Sequence, residues 1–194
     1  MRGRIVMAEN AASWLPQGLR PRFTVRDLVF IGIFAAVSKA AVLIIALVGG
    51  GMNPFSLALK NFVYTALMLV LAHKVAKPWT LTMAVLVSSL ISLLLMGQGI
   101  LHTPGALVTC LLAELLIYVL GGYGRTRNLL AGVLFLELGG KAVSVLVAWF
   151  YYREQPGLLL VPLIFVSVGA LGSFAGLAGG VKLVKELRHA SLLS

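Results

Sequence analysis

Residues 31–51 read IGIFAAVSKAAVLIIALVGGG, and this stretch decides the fold class. Apart from Lys39 and Ser38 it is apolar. Its length is about what one bilayer crossing requires, roughly 20 residues. It therefore reads as a membrane span carrying a lysine in its middle. Alongside that lysine Gly32, Ala36 and Ala40 recur every four residues, so they share one helix face. A charge and a smooth small-residue face on one span are the features any functional account has to explain.

The rest of the chain has the same character. It is 194 residues long, 60% hydrophobic and 11% charged, with mean hydropathy +1.00. Soluble domains average about 25% charged residues. Six apolar segments are expected, at roughly 27–49, 55–73, 79–97, 103–121, 128–150 and 158–181. The expected architecture is an all-α membrane protein of six transmembrane helices. A tail at 1–24 precedes the six-helix domain at 25–185, and a second tail follows at 186–194. Start signals agree with these spans. Thr24 with Asp27 forms a capping-box pattern, Pro78 opens the third span, and Thr103-Pro104 opens the fourth. The basic N-terminus leads into an apolar run too long for a signal-peptide core, so the first span is expected to be uncleaved.

Charge placement reports topology. Arg2, Arg4, Arg20, Arg22 and Arg26 precede the first span. Lys74 and Lys77 lie between spans 2 and 3, Arg125 and Arg127 between spans 4 and 5, and Lys182, Lys185 and Arg188 near the end. The alternate connections, GGGMNP and GQGILH, have no Lys or Arg, and the 5–6 connection sets Arg153 beside Glu154. By the positive-inside rule both termini are expected in the cytoplasm. The formal net charge of +10 is thus a topology signal and no argument for nucleic acid.

Ionisable residues within spans are costly and normally face the protein interior. Here they are Lys39, Lys60, Glu114, Glu137 and Lys141. Glu137 and Lys141 have the i,i+4 order that favours a salt bridge. At about 1.5 Å per residue, Lys39, Lys60, Glu114 and Lys141 are expected roughly 10–17 Å below the outer ends of their spans. Four helices then place charge at one level, which suits either a polar, outward-opening cavity with surplus positive charge or a closed charge network. Asn53, Asn61, Gln98, His102 and Tyr151 are candidates to complete such a pocket from the outer side. Trp149, Tyr151 and Tyr152 also fit an interfacial aromatic belt. Gly172, Gly176 and Gly180 form a second small-residue stripe, and small faces allow close helix approach in lipid. Either stripe taken singly reads first as internal packing, and the presence of two leaves room for one to face another subunit.

Catalytic and metal motifs are missing from the sequence. There is no GxxxxGK[ST], no HExxH and no CxxC, and Cys110 is the single cysteine. The expectation is a non-enzymatic protein without cofactor or metal.

The layout resembles the S component of energy-coupling factor (ECF) transporters, the substrate-binding membrane subunit of bacterial vitamin importers. The resemblance is carried by Ala36-x-x-x-Ala40, by NPFSLALKNFVYTALMLVLAHKVAKPW (53–79), by SLLLMGQGI (92–100) and by LLAELLIYVLGGY (111–123). It is similar to the MptD-type and thiamine-precursor S components. The resemblance implies a ligand pocket near the outer ends of the helices, with Lys39, Asn53, Lys60, Asn61, Gln98, His102, Glu114, Lys141, Trp149 and Tyr151 as its candidates. It implies that Gly32, Ala36 and Ala40 dock on a membrane coupling subunit driven by two ATP-binding-cassette ATPases, in the bacterial cytoplasmic membrane. Surplus lysine favours an anionic ligand, whereas the span-4 likeness favours a thiamine-like pyrimidine paired to Glu114. The competing reading is a six-helix scaffold of cell-envelope synthesis, whose intramembrane charges form a closed network and whose small faces bind other proteins.

Overall fold

A computed structural model describes residues 23–50, 53–96 and 103–190. Six helices follow one another: α1 (Val25–Val48), α2 (Pro54–Lys74), α3 (Thr80–Met96), α4 (Thr103–Val119), α5 (Thr126–Tyr151) and α6 (Leu160–His189). A short 3-10 turn, Pro156–Leu159, leads into α6. No strand occurs among the described residues. Four helices, α1, α2, α5 and α6, are long and apolar enough to cross a membrane. The other two, α3 and α4, are apolar with 17 residues each. That gives a rise of about 25 Å, the lower limit for a crossing.

Local sequence explains the helix starts. Thr24 caps α1: its Oγ1 accepts the Asp27 N–H at 3.3 Å, and the Asp27 carboxylate accepts the Thr24 N–H at 2.7 Å. This is a reciprocal capping box. Asn53 caps α2, its Oδ1 accepting the Ser56 N–H at 2.7 Å, with Pro54 as the first helical residue. Both residues are favoured at those positions, the amide as an acceptor and the proline because it needs no N–H partner. The last helix runs further than its apolar segment and reaches His189, so the tail expected from residue 186 begins inside α6.

The helices close into a ring in the order α1, α3, α4, α5, α6, α2, with α2 also touching α5 across the middle. The most extensive pair is α2 with α6, and its cause is the glycine stripe. A Cβ added at Gly172 would stand 2.3 Å from the Ala58 carbonyl oxygen, and one at Gly176 would stand 2.5 Å from that of Phe62. At Gly180 an added Cβ would meet the Ala66 Cα at 3.2 Å. The contacts rise together along both helices, so the two run parallel, backbone against backbone. This stripe serves internal packing. The α1 stripe differs: Ala36 and Ala40 are exposed, and a Cβ added at Gly32 meets nothing within 4 Å. Of the two small faces, the one on α1 is left open.

Lys77 pairs with Asp27 at 2.5 Å, tying the 2–3 connection to the start of α1. Because α6 runs parallel to α2, the start of α1 and the end of α6 share one end of the bundle. That end carries Arg26, Lys74, Lys77, Arg125, Arg127, Lys182, Lys185 and Arg188, and is the basic end. The other end, at Gly49, Thr103 and Tyr151, is the neutral end. The core is unevenly distributed between them. Leu69, Leu71, Leu81, Cys110, Ile117, Leu129 and Val133 are almost wholly buried and fill the basic half. The neutral half contains a cavity instead.

Candidate functional site

The cavity has a volume of about 480 Å³ and is lined from five helices. Lys39 comes from α1, Asn61 and Tyr64 from α2, and Ser88, Ser89 and Ser92 from α3. Thr103 and Thr109 come from α4, and Glu137, Lys141 and Ser144 from α5. Val85, Ala106 and Leu136 give it apolar floor and wall. So many polar side chains in the interior of an apolar bundle form a built feature. In lipid an unsatisfied polar group costs several kcal/mol.

The charged residues divide into two groups. Lys141 Nζ lies 2.8 Å from Glu137 Oε2 and 2.8 Å from Ser173 Oγ, and Ser173 donates to Glu137 Oε2 at 2.7 Å. The expected i,i+4 ion pair is thus present, and α6 completes it with a hydroxyl that bridges both charges. Gly169 permits the approach, since a Cβ there would crowd Asn61 and the Lys141 stem at 3.2 and 3.4 Å. Replacing Ser173 with alanine is expected to lower stability by about 2 kcal/mol, by removing hydrogen bonds to two charged partners. Urea or thermal unfolding in detergent checks this, and an unchanged midpoint would contradict the bridging role.

Lys39 is the other case. It lines the cavity and is partly buried, yet it has no ion pair or hydrogen bond among the described residues. Among the described residues the lining therefore holds two lysines and one glutamate, and the lysine without a counter-ion is Lys39.

Of the residues expected in a pocket, Lys39, Asn61 and Lys141 come together here. Lys60 is half-buried on α2 and is not part of the lining. Asn53 is committed to its cap: its amide donates to the Gly49 carbonyl while its oxygen holds Ser56. Trp149 and Tyr151 are exposed at the neutral end of α5, away from the cavity, and Trp149 packs edge-on against Phe150 at 5.2 Å. That is the arrangement of an interfacial belt. Gln98 and His102 lie outside the described residues.

Glu114 requires a correction. Its expected place was level with the three lysines, but it lies nearer the basic end and does not line the cavity. Its carboxylate accepts the Trp79 N–H at 2.5 Å, the Thr82 N–H at 3.0 Å and the Tyr123 hydroxyl. It caps α3 from another helix. Trp79 has φ 70°. That is the left-handed region, which costs a bulky residue about 1–3 kcal/mol. The Glu114 contact holds it there. Burial and the Glu114 charge push the Tyr123 phenol above its ordinary range, so it remains a donor. Counting residues from a span end gives depth. It does not give the direction of a side chain or its competing partners, and α3 begins with orphan N–H groups that need an acceptor.

Sequence reasoning also missed the cavity's hydroxyl wall. The signal was visible as Ser88, Ser89 and Ser92 inside an apolar span, with Ser88 and Ser92 one turn apart on one face.

A family model described as a hypothetical bacterial integral membrane protein (Trep_Strep) matches residues 25–156. The chain belongs to the Trep_Strep family. It is accordingly a bacterial integral membrane protein. The Trep_Strep match begins where α1 begins and ends after α5, so it includes every residue that lines the cavity. No curated protein and no solved structure matches the chain.

Proposed function

We propose that this protein is the substrate-binding membrane subunit of an ECF-type importer, capturing a small water-soluble vitamin or vitamin precursor. The observation that carries the reading is the two-sidedness of α1. Lys39 turns into a polar cavity, while Ala36 and Ala40 form an exposed, smooth face on the same helix. A single helix that reports on a ligand on one side and offers a shallow contact on the other suits a subunit that must dock and release.

In this reading the basic end is cytoplasmic, following the positive-inside rule, and the cavity lies in the outer half of the bundle. The membrane is the bacterial cytoplasmic membrane. The chain itself is not an enzyme, and ATP is hydrolysed by two partner ATPases acting through a membrane coupling subunit. The envelope-scaffold alternative expects the intramembrane charges to form a closed network. Lys39, which has no ion-pair partner among the described residues, favours the importer.

Leucine at both Ala36 and Ala40 is the direct test. Pull-down from the native membrane is expected to recover a coupling subunit and ATPases with the wild type. The A36L/A40L protein is expected to lose them, about tenfold or more, while its unfolding temperature stays unchanged because the face is exposed. Recovery of envelope-synthesis proteins by the wild type, with no ATPase, would overturn the reading.

A further inference from the structure

With this cavity taken as the ligand site of the reading above, the chemistry of the ligand follows from which cavity groups are already satisfied. Serine and threonine within helices can donate back to the carbonyl four residues earlier. Ser38 does so to Phe34 at 2.6 Å, Ser144 to Gly140 at 3.0 Å and Ser167 to Leu163 at 2.8 Å. On the cavity wall, Ser88 and Ser92 make no hydrogen bond among the described residues, although Ser88 is buried. Beside them Lys39 has no counter-ion among the described residues. The other lysine of the cavity, Lys141, is neutralised by Glu137. Among the described residues the side chains of the lining without a hydrogen bond are the Lys39 ammonium on α1, the Ser88, Ser89 and Ser92 hydroxyls on α3 and the Tyr64 phenol on α2, so all but the phenol come from α1 and α3. The single carboxylate of the cavity is already occupied. Glu114, the group that would have suited a cationic or amine-bearing ligand, is engaged with the start of α3.

We propose that the cavity binds a small organic anion, with a carboxylate or phosphate seated on Lys39 Nζ and hydrogen-bonded by Ser88 and Ser92. The apolar wall at Val85, Ala106 and Leu136 accepts the ligand's carbon skeleton. Lys39 is kept in an apolar bundle for the ligand, at a cost to the empty protein, because a lone charge in the membrane interior is unfavourable. This separates a ligand-binding lysine from a structural one: removing a structural ion-pair partner destabilises, whereas removing an unpaired charge stabilises.

The experiment compares the wild type, Lys39→Met, Lys39→Arg and the double variant Ser88→Ala/Ser92→Ala in detergent, after exhaustive exchange into chloride buffer. Unfolding temperature is read against sodium phosphate and sodium acetate at constant ionic strength, with tetramethylammonium chloride as the cationic control. In chloride, Lys39→Met is expected to unfold about 2–4 °C higher than the wild type. Phosphate or acetate is expected to stabilise the wild type and Lys39→Arg and to leave Lys39→Met unmoved. The double serine variant keeps every charge and is expected to need about tenfold more anion. Any molecule that survives exchange is extracted and identified by mass. An acid of low mass or an acidic phospholipid supports the proposal and distinguishes a solute from a lipid headgroup as its source. A retained cation or neutral molecule overturns it. So does an anion response equal in wild type and Lys39→Met, the lack of any anion response in an empty wild type, or destabilisation by Lys39→Met. The importer reading fails on a different measurement, the pull-down of ATPases, so either can fall without the other.

Discussion

Glu114→Ala is expected to cost about 3–5 kcal/mol, because it leaves two backbone N–H groups and a phenol without their acceptor in a buried place. Glu114 is only 6% exposed, and the three donors reach it from the 2–3 connection, the first turn of α3 and the 4–5 connection. Water does not readily replace it there. Glu114→Gln keeps an oxygen acceptor of the same shape and is expected to lose only about 1–2 kcal/mol. Denaturant unfolding in detergent, followed by tryptophan fluorescence, measures the loss, and Trp79 beside the site reports on its place. The two variants are expected to differ by at least about 1 kcal/mol. Equal losses would mean that the carboxylate's charge and geometry do not matter, and a wild-type midpoint for the alanine variant would remove Glu114 as the trans-cap of α3. Ligand binding to a protein that still folds is expected to persist, since Glu114 does not line the cavity.

Gly176→Leu is the second large effect. The α2–α6 contact is made by backbone, with no side chain between that is able to move aside. Even a Cβ at this position would stand 2.5 Å from the Phe62 carbonyl oxygen and 2.9 Å from its Cα. Overpacking commonly costs about 1–3 kcal/mol when side chains can adjust. Here two helix backbones must separate, and the expected loss is about 3 kcal/mol or more, enough to prevent accumulation of the folded protein. Folded yield by size-exclusion chromatography in detergent reads it. The leucine substitutions on the exposed α1 stripe are chemically similar and are expected to leave that yield unchanged. If both stripes tolerate leucine equally, the assignment of one to packing and the other to a partner is wrong.

The contrast between the stripes also shows where sequence reading stops. Gly32-Ala36-Ala40 and Gly172-Gly176-Gly180 have the same spacing. They also have the same physical meaning, a surface that another helix approaches closely. Spacing identifies the face. It does not identify what covers it, because that depends on the angle at which each helix enters the ring. The lysines repeat the lesson. Lys39, Lys60 and Lys141 are equivalent as intramembrane charges, yet one lines the cavity without a partner among the described residues, one lies off the lining, and one is bound to Glu137 and Ser173.

By itself the sequence determined what the solvent demands. Apolar runs of bilayer length, capping residues at their ends and basic residues in alternate connections fix six helices and their succession, because these signals are local and each is set by transfer of side chains between water and lipid. The i,i+4 pairing of Glu137 with Lys141 was legible for the same reason, since both groups lie on one helix. Only the tertiary structure decided which helix faces meet. That the basic half is packed and the neutral half hollow, that Glu114 serves α3, and that Ser88, Ser92 and Lys39 share a wall all depend on contacts between residues tens of positions apart, which neither hydropathy nor periodicity encodes.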